Sequence, residues 1–345
     1  MTNVHDFAYS VGLVRALETM LLNSNELERM MLAKDADEAF KILNEFDYAD
    51  NKAGVESTGD FQKVLNEGLI DIKHTLDKIS PNDTILNILW HAYDFHNIKV
   101  MLKAKLSGKT FEDIEGILSQ MGKISTADLR QFIFEEENLS FKLEDEQTEK
   151  YIQEKTKRAE KLFKAKRNNP QVIDLYLDQK LIKTILRIAE ENESPFLVAY
   201  IKTLIDLTNI QIFFRMKSQE KEEDLFEVAL LWNGHTRAAK FREAYKKKLS
   251  DFPETMKNSN YAKIVETGYQ HYQEEKSFIY LEKEIANHLT NKIKGAKLVA
   301  FGPEPLIAYF LSKKNNALII RMILVNKLNK IPAEEIQKRL RTLYT

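Results

Sequence analysis

The chain has 345 residues with 51 basic and 52 acidic side chains, a formal net charge of −1, and no cysteine. It can therefore form no disulfide, thiolate metal site or cysteine nucleophile, and it lacks the basic excess of a general nucleic-acid binder. Glycine (11) and proline (7) are scarce, although a strand-rich fold with many tight turns needs both, so the expected class is all-α.

Along the chain, the N-terminal MTNVHDFAYSVGLVRALETMLL lacks a positive leader before a compact apolar run and does not read as a signal peptide. LNILWHAYDFHNIKVMLKAKL, residues 86–106, has helical apolar spacing. An acidic stretch, Glu135 to Glu149, precedes a basic one, Lys150 to Arg167. The pair reads either as a long solvated helix with i,i+4 ion pairs such as Glu154 with Arg158, or as a docking face. In PFLVAYIKTLIDLTNIQIFF, the residues Leu197, Ile201, Leu204, Ile205, Thr208 and Ile212 form one stripe of an amphipathic helix. Helix breaks are predicted at SPNDT (Ser80), RNNPQ (Arg167), NESPF (Asn192) and SDFPE (Ser250).

GPEPLIAYFLSKKNNALIIRMILVNK, residues 302–327, is apolar enough to raise the question of a membrane span, and no other stretch does better. A span needs roughly 20 predominantly apolar residues. Lys313, Lys314 and Arg321 interrupt the run, at a combined insertion cost of roughly 8–10 kcal/mol. The segment instead predicts a soluble helix with Pro303 or Pro305 in its first turn, where proline costs nothing, and Glu304 favoured by the helix dipole.

The sequence repeats itself. DFHNIKVMLKAKLSGKTFEDI from Asp94 aligns with DLTNIQIFFRMKSQEKEEDL from Asp206, matching Asp94 to Asp206, Asn97 to Asn209 and Lys105 to Lys217. KLSGKTFEDI from Lys105 aligns without a gap on KLNKIPAEEI from Lys327, which also sets Lys99 on Arg321. Three units follow, 1–115, 116–227 and 228–345. Each is a long helix, a polar break and a new helix, with Thr110 and Pro332 at predicted helix starts. Asp and Asn at i,i+3 share a helix face. The two pairs read either as buried hydrogen-bonding groups or as a polar contact surface. The third unit departs, with Asn316 and Ile319 at the two positions.

No catalytic constellation emerges. GILSQMGKI from Gly116 has one residue too many between its glycines for a phosphate loop, and Ile124 where Ser or Thr is needed. His91 and His96 are about 140° apart on a helix and are poorly placed to share a metal. The expectation is a non-enzyme with no cofactor and no metal.

These segments resemble the C subunits of the prokaryotic V/A-type rotary ATPases, the counterparts of the d subunit of the eukaryotic V-ATPase. The match rests on the C-terminal GPEPLIAYFLSKKNNALIIRMILVNKLNKIPAEEIQKRLR, with YDFHNIKVMLKAKLSGK and DLTNIQIFFRMK in the first two units. The resemblance implies a funnel of three similar helical domains about a pseudo-threefold axis. It implies a non-catalytic rotor subunit, one copy per complex, with no nucleic-acid partner and no membrane insertion. Such a protein is cytoplasmic, peripheral on the membrane through the proteolipid ring, and it couples that ring to the D and F shaft proteins. It passes torque between ATP hydrolysis or synthesis and H+ or Na+ translocation. The polar and basic residues of the repeat, Asn97, Lys99, Asn209, Arg215 and Arg321, are the expected partner contacts. A generic helical-repeat scaffold is the alternative, although its units are shorter, about 34–47 residues.

Overall fold

Helices stop where proline and small polar residues predict. A computed structural model describes residues 4–45, 60–137 and 139–345. Among them there are sixteen α-helices and no strand. By internal contacts the chain divides into two units, Met1–Asn82 with Tyr261–Thr345 (unit 1) and Asp83–Asn260 (unit 2).

Unit 2 contains α5 (Asp83–Leu106), α6 (Thr126–Ile133), α7 (Glu146–Ala165), α8 (Gln171–Glu191), α9 (Pro195–Ser218), α10 (Glu223–Ala229), α11 (Ala238–Tyr245) and α12 (Phe252–Met256). The four predicted breaks fall just ahead of α5, between α7 and α8, between α8 and α9, and at the start of α12. Helix α8 lies against α5, α7 and α9. One core gathers Phe95, Met101, Leu102, Phe132, Ile152 and Leu177. A second is aromatic. Phe213 stacks on Phe252 with centroids 3.7 Å apart, and Phe226 stacks on Tyr245 at 4.0 Å.

Unit 1 contains α1 (Ala8–Glu18), α2 (Ser24–Leu32), α3 (Ala36–Glu45), α4 (Phe61–Ile79), α13 (Ala262–Glu275), α14 (Ile279–Ile293), α15 (Glu304–Leu328) and α16 (Ala333–Arg339). Helix α15 is its axis, packed by α1, α3, α4 and α16. Pro303 is its N-cap, Pro305 lies in its first turn and Glu304 is its first-turn acid, as the sequence predicts. Arg15 ties α1 to the segment before α15. Its Nη2 donates to the carbonyls of Ala296, Lys297 and Val299 at 2.9–3.1 Å.

Three expectations need correction. The stripe predicted for α9 is only partly interior: Leu197, Ile201 and Ile205 are buried, but Leu204, Thr208 and Ile212 are half-exposed. A second fully buried line runs through Asp206, Asn209, Ile210 and Phe213, because two polar residues are buried by bonding. Thr110 starts only turns and a short 3-10 helix, Glu115–Ile117, not an α-helix. The acidic and basic stretches do not form one helix, since α7 begins at Glu146. Its i,i+4 pairs include Glu146 with Lys150 and Glu160 with Lys164, while Glu154 bonds the adjacent Lys155 at 2.6 Å.

Candidate partner-binding site

The repeat is visible first in three long helices, α5, α9 and α15, of 24, 24 and 25 residues. Each ends the same way. Gly108, Glu220 and Lys330 take left-handed backbone with φ of 75°, 52° and 55°. The next residue's N–H then reaches back five positions, from Lys109 to Ala104 O, Lys221 to Met216 O, and Ile331 to Asn326 O, at 2.9–3.0 Å. This is the bonding of a Schellman ending, which satisfies carbonyls that a helix terminus leaves open.

The aligned Asp and Asn are clamps on a following loop. Asn97 donates through Nδ2 to Ser119 O at 2.8 Å and accepts from Ser119 N at 2.9 Å. Asn209 does the same to Leu231, at 2.9 and 2.8 Å. Asp94 accepts from Ile124 N at 2.9 Å and pairs with buried His91 Nδ1 at 2.8 Å. Asp206 accepts from His235 N and Thr236 N at 3.0–3.1 Å. All four side chains are fully buried. A buried carboxylate or amide is tolerable because it meets backbone groups that a loop cannot satisfy internally. Gly122 and Gly234 let these loops approach, since a Cβ on either would stand 2.2 or 2.1 Å from the Asp oxygen. The glycine run that fails as a phosphate loop is thus the first clamped loop.

The third clamp draws its loop from the other end of the chain. Asn316 is buried with its oxygen towards Leu22 N (2.9 Å) and its nitrogen towards Ser312 O (3.3 Å). Leu22 precedes Asn23, the N-cap of α2. Likewise Ile124 precedes Ser125, the N-cap of α6, and Thr236 precedes Arg237, the N-cap of α11. Ile319, where the other clamps have Asn, is fully buried. The residue five before Leu22 is Leu17, inside α1. A helical backbone bonds itself and needs no amide clamp.

A lysine completes each set. Lys105 bonds Glu136 at 2.8 Å, just past α6. Lys217 bonds Tyr245 O at the last residue of α11, at 2.5 Å. Lys327 bonds Met31 O at 3.0 Å, and Ala33 O, at the end of α2. Cations at helix C-termini satisfy the last carbonyls and oppose the dipole. A cleft of about 700 Å³ opens beside Lys327, lined by Leu32, Lys34, Leu328 and Ile331 among others.

Of the five residues expected at partner contacts, Asn97 and Lys99 lie on α5, Asn209 and Arg215 on α9, and Arg321 on α15. Asn97 and Asn209 are interior, with both amide atoms bonded to their own chain. Lys99 is half-buried and bonds Asp178 at 2.7 Å. Arg215 is exposed, and Arg321 is half-buried with its Nε lacking a hydrogen-bond partner. Lys99, Arg215 and Arg321 are therefore the ones that are not fully buried. Sequence reading missed Leu22 and Asn23. The available signal was a polar N-cap that starts a short helix and opens no unit of its own.

Among the described residues no group of three or more His, Asp or Glu is placed to hold a metal. One helix, α9, is long and apolar enough by composition to cross a membrane, contrary to the expectation that no stretch outdoes the C-terminal one. Half of that apolar window is buried inside the protein, and Asp206 and Asn209 bond its middle to the 231–236 loop.

The sequence matches the family described as ATP synthase (C/AC39) subunit over residues 10–339. The chain belongs to this family. Among C/AC39 relatives, the C subunit of a V-type sodium ATPase of Enterococcus hirae is 23% identical over 333 residues, covering 96% of this chain and 97% of that one. The C subunit of an A-type ATP synthase of Methanocaldococcus jannaschii is 22% identical over 350 residues, covering 98% and 86%. Another of that name, from Methanococcoides burtonii, is 23% identical, covering 97% and 94%. C/AC39 membership agrees with the resemblance read from the repeat.

Proposed function

We propose that this C/AC39 protein is the rotor element that joins the D and F shaft of a V/A-type ATPase to its membrane proteolipid ring. It transmits torque and carries no catalytic site. The observation that carries this reading is the clamp built three times, twice in unit 2 and once in unit 1. A body that grips a ring of identical subunits gains from similar surfaces arranged about an axis. A body that transmits torque must also be stiff. Buried side-chain clamps and capped 24–25-residue helices provide that stiffness, because local opening is limited by buried contacts and bonded backbone. The reading includes a pseudo-threefold funnel of three helical units, one copy per complex, held peripherally at the cytoplasmic face.

The test is reconstitution from purified parts. The chain is mixed with detergent-solubilised proteolipid ring, then with the catalytic head and its shaft. Co-elution with the ring, and ATPase activity blocked by a ring inhibitor only when the chain is present, is the expected result. A folded chain that binds neither ring nor shaft would overturn the proposal.

A further inference from the structure

On unit 2, α7 and α8 lay a cluster of cations over two tyrosines. Lys155 Nζ stands 4.9 Å from the centre of the Tyr151 ring, and Lys183 Nζ stands 5.7 Å from the same ring. Lys180 Nζ lies 4.6 Å from the Tyr176 ring. Arg158 is near enough to act on Tyr176, and Tyr176 in turn on Tyr151, so the groups form one patch. Its nearby acid is Glu154, which is exposed and bonded to Lys155.

The surroundings make this patch unusual. Other cations on the same helices are matched: Lys150 by Glu146, Lys164 by Glu160, and Arg187 by Asp145 and Glu191. Across from α8, Lys99 and Lys103 take Asp178 and Asp174. A chain of net charge −1 thus gathers Lys155, Lys180, Lys183 and Arg158 around one exposed acid, Glu154. Like charges held together oppose folding unless something outside offsets them. Burial, with Lys155 and Lys183 beside it, pushes the Lys180 amine below its usual range. A carboxylate arriving there relieves that cost.

The rings favour a protein partner over a lipid surface. A polybasic segment that meets headgroups does so with long exposed side chains. Here Lys155 and Lys180 are half-buried and laid along aromatic faces, where cation–π contact holds the amines in fixed positions. Fixed amines suit carboxylates at set spacing.

We propose that the Tyr151–Lys155–Lys180–Lys183 face docks an acidic segment of another protein of the assembly. That the partner belongs to an ATPase complex rests on the function proposed above; the docking chemistry does not. The probe is a fluorescent decaglutamate peptide titrated by anisotropy, with phosphatidylserine vesicles in parallel. The intact chain is expected to bind the peptide with an affinity that falls as salt rises. The triple variant K155E/K180E/K183E should lose about tenfold or more, the equivalent of a few exposed ion pairs. The milder K180M should lose part of it, and K41E, a charge reversal at an exposed lysine of unit 1, should lose nothing. Both sets are checked by circular dichroism, and K180M serves if the triple variant does not fold. Equal binding by the intact and triple variants, or an equal loss in K41E, overturns the proposal. So does lysine-dependent binding to vesicles without binding to the peptide, which would assign the face to the membrane. In reconstitution, an intact chain and a triple variant that assemble equally well would sink the docking face and leave the coupling role standing. Failure of the intact chain to assemble, with peptide binding preserved, would do the reverse.

Discussion

Leu22 gives its backbone N–H to Asn316 at 2.9 Å, so residues near opposite ends of the chain meet in a buried bond. The same donor position is served by a carboxylate in Asp94 and Asp206, but here a neutral amide suffices because a single N–H is presented. Asn316→Leu removes the acceptor and strands the Leu22 N–H. Urea unfolding should show a loss of about 1–3 kcal/mol, the cost of an unsatisfied buried donor. Asn316→Asp keeps an acceptor but buries a charge, which raises its pKa. Its deficit should therefore be present at neutral pH and shrink on acidification.

Gly122 and Gly234 stand against Asp94 and Asp206 with no room for a methyl group. Gly122→Ala and Gly234→Ala should each destabilise by about 1–3 kcal/mol, as overpacking does. Adding Asp94→Ala to Gly122→Ala should cost less than the two single changes summed, because they share one contact. Strict additivity in denaturation midpoints would argue against the clamp as the cause.

Glu220 and Lys330 adopt backbone that Gly108 adopts freely. Left-handed φ costs an L-residue roughly 1–2 kcal/mol, partly offset by the greater unfolded freedom of glycine. Glu220→Gly and Lys330→Gly should raise stability by about 0.5–1 kcal/mol, read as a higher melting temperature. A fall would mean that these side chains make contacts outweighing the backbone strain.

Asp145 caps α7 by accepting from Gln147 N and Thr148 N. Partial burial pushes its carboxyl up, but bonds from Thr148 and Arg187 outweigh that and bring it down from 3.8 to about 2. A depressed carboxylate contributes stability above its unfolded pKa and loses it as pH falls through the folded value. The window is therefore about pH 4 to 2, and partial exposure limits the effect to about 1 kcal/mol. Asp145→Asn keeps a cap without the charge. The urea midpoint of the parent should fall towards that of the variant across this window, and parallel curves would refute the assignment.

Much of the fold was legible because helix stops have local chemistry. Pro81, Pro170, Pro195 and Pro253 mark breaks that sit where expected. The repeat was legible because Asp94 with Asn97 and Asp206 with Asn209 are bonded to loops at equal distances along the chain, so selection for one geometry leaves one spacing. What the sequence hid was direction. Asp206 and Asn209 read either as buried hydrogen-bonding groups or as a polar contact surface, and they are fully buried, a choice that hydrophobic periodicity alone cannot make because it does not see a polar group satisfied by hydrogen bonds. The third clamp was hidden for another reason: Asn316 is answered by Leu22, far outside any sequence window.

That closure also sets an order in time. Synthesis delivers Leu22 long before Asn316, and domains of a growing chain tend to fold as they emerge. The loop ahead of α2 must therefore wait, its buried N–H unpaired, until α15 has been made. The last residues join the same place, with Tyr344 bonding Glu18 and Thr345 bonding Leu22 O. A chain that stops before Asn316 cannot make this bond, so unit 1 is fastened only once α15 has been made, whereas both clamps of unit 2 close earlier.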